Sequence, residues 1–158
     1  MKPNRFLLSI AVLLLISCAK EPEQAPVASG RTITPTGALS FLNAAGDTLA
    51  TLRVALARTD QEISTGLMDV RTMSEHEGML FIFGNEEPRS FWMANTPLSL
   101  DMFFVDNDFR IRRIHTNTTP LSHQSYTSDA PVRYVIETNA GYALRHDITE
   151  GLSIRIHD

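Results

Sequence analysis

SFWMANTPLSLDMFFVD, residues 90–106, is the stretch whose reading decides the fold. Within it Leu100, Met102, Phe103, Phe104 and Val105 put large apolar groups on successive positions. Side chains alternate sides along a strand, so such a run belongs to a strand covered on both faces. Met79-Leu80-Phe81-Ile82-Phe83 has the same character. After residue 105, Asp106-Asn107-Asp108 reads as a hairpin turn into a further strand at 109–117, where Phe109 and Ile111 alternate with Arg110 and Arg112.

Further outward, Leu52, Val54 and Leu56 alternate with Thr51, Arg53 and Ala55, the period of a half-buried strand. Thr59 followed by Glu62 forms a capping box, and Ile63 and Leu67 lie four apart, which predicts a helix of about two turns over 60–67 with Gly66 at or near its end. Residues 40–42, 90–93, 132–138 and 152–157 complete a set of about eight strand candidates. The expected class is mostly β: a compact β-sandwich or partly closed barrel of about eight short strands with one or two short helices.

The chain has 158 residues, 43% hydrophobic, 8% aromatic and 20% charged, the composition of an ordinary globular protein. Fourteen basic against 18 acidic residues give a net charge of −4, so no basic balance is available to neutralise a phosphate backbone, and no nucleic-acid partner is expected. A single cysteine excludes an intramolecular disulfide framework, a Cys-based zinc site and an iron–sulfur cluster.

The N-terminus reads as an address. Lys2 and Arg5 precede an apolar run at 6–16 interrupted only by Ser9, the n-region and h-region of a secretory signal. Eleven residues are too few for a transmembrane helix, which needs roughly 20. Leu15-Ile16-Ser17-Cys18 resembles a bacterial lipobox, with Cys18 as the lipidated residue. Ala19 behind the cysteine resembles the sorting signal for the outer membrane, so the expected location is the cell envelope, lipid-anchored on the periplasmic face of that membrane. The acyl chains together bury far more CH₂ groups than one myristoyl chain, which predicts stable anchoring. Removing Lys2 and Arg5 from the 14 basic residues leaves 12 against 18 acidic, a mature net charge of −6.

This divides the chain into a signal peptide at 1–17, a lipidated cysteine and tether at 18–35 and a β-rich domain at 36–158. The tether carries Pro22, Pro26, Gly30 and Pro35 among small and polar residues. As a flexible coil it would reach roughly 20 to 25 Å.

Asp101 stands out because its strand neighbours are large and apolar; a buried carboxylate there needs Arg71, Arg89 or backbone N–H groups as partners, or its pKa rises. Glu137 shares a strand face with Val135 and Arg133. Together Asp101 and Glu137 are the candidate catalytic acid and base of a hydrolase. His76, His115, His123, His146 and His157 show no metal-ligand spacing. Met68, Met93 and Met102 are candidate thioether ligands for Cu(I), with core filling as the alternative. No phosphate loop and no nucleophile elbow is present, and no cofactor is expected.

GLMDVR at 66–71, EGMLFIF at 77–83, SFWMANTPLSLDMFFVD at 90–106 and YVIETNAG at 134–141, in this order, resemble the DUF192 (UPF0127) family over roughly residues 48–156. The resemblance implies a compact β-rich domain, often secreted or lipid-anchored, with no established reaction. The family commonly has Gly-Asp near the last strand, whereas Gly151 is followed here by Leu152. The polar positions of the pattern, Arg71, Asn95, Thr96, Asp101 and Glu137, are expected to cluster around Trp92 as a site for a small polar ligand or glycan, or else as a hydrogen-bond network that fixes loops. The expected function is a lipid-anchored ligand-binding or envelope-assembly module, possible partners being a small polar ligand, a glycan or an envelope protein. The alternatives are an Asp101/Glu137 hydrolase and a Met/His copper-binding protein.

Overall fold

Every residue from Leu100 to Val105 is buried, as a strand apolar on both faces requires. The computed structural model describes residues 30–157; the expected signal peptide, Cys18 and most of the expected tether lie outside the described residues. The elements are β1 (Gly37–Leu42), β2 (Thr48–Ala57), α1 (Asp60–Thr65), β3 (Glu77–Trp92), β4 (Leu100–Val105), β5 (Ile111–His115), β6 (Ser125–Asn139), α2 (Tyr142–Arg145) and β7 (Ser153–His157). The strands form one curled sheet in the order β5-β4-β6-β3-β2-β1-β7, a half-barrel. β2 and β3 pair in parallel because α1 and its flanking loops carry the chain back between them. The other strand pairs are antiparallel.

The curl nearly closes on itself. Ile154 N–H donates to Phe109 O and Ile111 N–H to Leu152 O, both at 2.9 Å, stitching the start of β5 to β7. All seven strands send side chains into the concave core, among them Leu39, Phe41, Leu52, Leu80, Phe103, Ile136 and Ile154, with Tyr142 and Ala143 of α2 packed against them. A second core lies on the opposite face, where Ala57, Phe81, Met102, Phe104 and Val135 pack under Leu67, Val70 and Met93. Two cores sharing one sheet explain why the β3 and β4 runs are apolar at odd and even positions alike.

Seven strands appear where about eight were expected, because the runs at 79–83 and 90–93 belong to one strand. β3 follows β6 throughout, with register shifts between Ile82 and Glu87 and between Pro88 and Ser90. Pro88 stands opposite Pro131 within this irregular stretch, where neither can donate to the ladder. Such bulges bend a strand sharply.

The capping box is present as read: Thr59 Oγ1 accepts from Glu62 N–H, and Glu62 accepts from the N–H groups of Arg58 and Thr59. Gly66 caps α1 at φ 44°, which favours glycine, and a Cβ there would press on the Phe81 ring at 3.3 Å. Arg31, expected in the tether, is held by the domain. Its N–H donates to Asp69 O at 2.9 Å, and its guanidinium donates to Met68 O at 3.0 Å and to Gly66 O.

Candidate functional site

The bend in β3 brings together side chains distant along the strand. Phe81 and Phe91 meet edge to face with ring centroids 4.9 Å apart, and Phe91 also meets Phe83 and Phe104 at 6.4 and 5.9 Å. Beside these rings opens a cavity of about 390 Å³. Its walls are Phe81, Phe83, Phe91 and Pro88 of β3, and Ile63, Gly66, Leu67 and Met68 at the end of α1. Trp92 stands at the rim, 56% exposed, and the buried residues Thr96 and Glu137 line the interior.

Glu137 is 4% exposed and sits opposite Met79 on one side and Met102 on the other. No donor among the described residues hydrogen-bonds its carboxyl. Burial in these apolar surroundings pushes the group up to about 8, so it is largely neutral at pH 7. Arg89, the other ionisable residue of the lining, is engaged through its terminal nitrogens, while its buried Nε has no hydrogen-bond partner. It pairs with Glu87, donates to Asn85 O and Oδ1 at 2.9 Å each, and lies 3.9 Å over the Phe83 ring.

Asp101 is elsewhere. It pairs with Thr138 across β4 and β6, whereas Glu137 pairs with Met102. Neighbouring positions point to opposite faces, so Asp101 belongs to the concave side and Glu137 to the cavity side. Asp101 Oδ1 accepts from Asn117 N–H and Oδ2 from Ala143 N–H, both at 2.9 Å, which fixes the loop after β5 and the start of α2. Backbone N–H groups, and not Arg71 or Arg89, are its partners. The sheet separates the two carboxyls that an Asp101/Glu137 acid–base pair would require side by side.

Of the polar positions expected around Trp92, the structure brings Thr96 and Glu137 into the cavity with it. Asn95 is exposed beside the wall, its Nδ2 3.8 Å from Met68 Sδ. Arg71 is exposed, with its stem close to Gly30. Met93 and Met102 are fully buried in the second core, while Met68 lines the cavity. Among the described residues no three His, Cys, Asp or Glu side chains converge to hold a metal ion. Missed from sequence were Phe81, Phe83, Phe91 and Arg89; the alternation of Phe81 and Phe83 marked a shared face, but only the β3 bend reveals that Phe91 joins it.

The family model of DUF192, described as an uncharacterised ACR, matches residues 41–156, which include every strand from β2 to β6 and the whole cavity lining. The chain belongs to the DUF192 family. No curated protein matches it. Among solved structures, this DUF192 chain is similar to a Sinorhizobium meliloti 1021 protein provisionally described as a transcription regulator. The identity is 38%, with 80% of this chain and 98% of that chain covered and a TM-score of 0.75. It is also similar to a protein of unknown function from Novosphingobium aromaticivorans DSM 12444, at 30% identity, 87% and 94% coverage and a TM-score of 0.71. DUF192 membership thus gives the fold and leaves the activity to be argued from the cavity.

Proposed function

We propose that this protein is a lipid-anchored envelope component whose domain binds a small organic ligand in the Glu137 cavity. The observation that carries the reading is a buried carboxyl without a protein partner inside a cavity open to solvent. A buried polar group is ordinarily satisfied, and leaving one unsatisfied costs about 1–3 kcal/mol. A ligand with one hydrogen-bonding group and an apolar or aromatic body would satisfy Glu137 and cover the phenylalanine walls. The volume suits such a molecule, and few polar groups among apolar walls is the usual composition of a ligand site. Trp92 at the rim offers a flat face to an aromatic or sugar ring.

The envelope location rests on the apolar run at 6–16 and the lipobox at Cys18. A mature net charge of −6 disfavours a nucleic-acid role. A thermal-shift screen of the purified chain against envelope glycans, amino acids, amines and aromatic compounds tests the binding reading, since a ligand of the native state raises Tm by mass action. The expected hit loses its shift in Trp92→Ala, whose exposed side chain contributes little to folding. A panel without a single hit would turn the search toward an envelope protein as the partner.

A further inference from the structure

We infer that the ligand class of the cavity is a protonated amine carried on an aromatic or apolar body, with the ammonium group bonded to the Glu137 carboxylate. This deepens the binding reading above and rests on it. Two features of the lining select for a cation. Phe81, Phe91 and Trp92 line the cavity with aromatic rings, whose faces attract positive charge, as the Arg89 guanidinium over Phe83 already illustrates. Of the two ionisable residues in the lining, Arg89 is neutralised by Glu87, leaving Glu137 as the group without a counter-charge. A negatively charged ligand would meet the rings and Glu137 unfavourably, and a neutral one would forgo the charge-assisted hydrogen bond, roughly twice as strong as a neutral one.

Asp60 and Glu62 on α1, Asp69 and Arg71 on the following loop, Glu87 on β3 and His123 beside Trp92 are exposed, and His115 of β5, on the same sheet face as Glu137, packs on Phe104 and Tyr126 and bonds Thr127 O. Asp101 of β4 faces the opposite side of the sheet. On β6, Arg133 bonds outward to Phe83 O and Asn107 Oδ1. Glu137 therefore governs the pH response of the cavity below the amine's own pKa.

Binding would proceed with proton balance. The neutral carboxyl gives its proton to bulk solvent as the ammonium arrives, and an ion pair replaces a buried acid. With burial pushing Glu137 up to about 8, roughly one molecule in ten is ionised at pH 7 and one in a hundred at pH 6, and apparent affinity falls to that fraction of its intrinsic value.

Trp92 is the single tryptophan of the chain and stands at the rim, so its fluorescence reports occupancy. The test titrates the purified full-length chain in detergent with 2-phenylethylamine, 2-phenylethanol and 3-phenylpropionate at pH 6, 7 and 8. The expected result is that the amine binds tightest, its Kd improving about tenfold from pH 6 to 7 and about fivefold from pH 7 to 8. The alcohol should bind more weakly with no such trend, and the acid weakest. Calorimetry of the wild type in two buffers of different ionisation enthalpy should show close to one proton released per amine bound at pH 6.5. Glu137→Gln should reduce the amine to the alcohol's affinity and flatten its pH profile. Where that variant fails to fold, the wild-type proton count decides. Alcohol or acid binding as well as the amine, or amine binding without proton release, overturns the amine assignment while leaving the cavity as a ligand site. Absence of any Trp92 response to all three probes overturns both.

Discussion

Glu137 and the adjacent partner of Asp101, Thr138, point to opposite sides of β6, so the domain's two most buried carboxylates stand on opposite faces of one sheet. Their solvation follows from that separation. Asp101 receives two backbone N–H groups, whereas Glu137 faces a cavity and receives none. One carboxyl holds loops in place; the other lines the cavity without a protein partner.

Stability should fall with pH because of Glu137. Its folded-state value is raised from 4.5 to about 8, so between those limits the folded chain keeps a proton that the unfolded chain has lost. The cost is absent below pH 4.5 and grows as pH rises to about 8, reaching on the order of 5 kcal/mol in all. Glu137→Gln removes this slope. Urea midpoints at pH 5 and pH 8.5 should show the variant close to wild type at the lower pH and clearly more stable at the higher one.

Asp101→Asn should destabilise by about 3 kcal/mol, since one of the two buried N–H groups would then face an amide that also donates. Ligand affinity should be unchanged once folding is accounted for. Denaturant midpoints with a binding titration of the same sample separate this from a role in the site.

Gly78 is required by the spacing of β3 and β6. A Cβ there would lie 2.5 Å from Glu137 O and 2.8 Å from Leu52 Cδ2. Gly78→Ala should cost about 1–3 kcal/mol through overpacking, read as a lower Tm.

Arg31 clamps the cavity wall from outside by bonding Gly66 O and Met68 O. Arg31→Ala should cost only about 1 kcal/mol in global stability. Its clearer signature is faster amide exchange over residues 66–70, with weaker ligand binding, because the wall loses its outer partner.

What the sequence disclosed followed from local chemistry. The Leu100–Val105 run forced a doubly covered strand, the Thr59/Glu62 pair located α1, and Gly66 marked its end. The unity of β3 was hidden by the polar segment around Glu86, Glu87 and Pro88, which reads as a turn but is held in strand pairing by β6. Two short helices fit the expected one or two, but the place of α2 was not legible because it is one turn long and follows Gly141 without a side-chain cap. Of the cluster expected around Trp92, Thr96 and Glu137 line one cavity with it, but the face on which Asp101 lies depends on the β4–β6 register, a long-range property that no local pattern encodes.

The ¹³C shift of the Glu137 side-chain carboxyl, followed by NMR across pH with and without 2-phenylethylamine, reads directly whether this group takes a ligand. The free-state midpoint should lie near 8 and move well below 7 when the amine is saturating. A Glu137 that titrates near 4.5 in the free chain, or whose midpoint is unmoved by saturating amine, would contradict this reading.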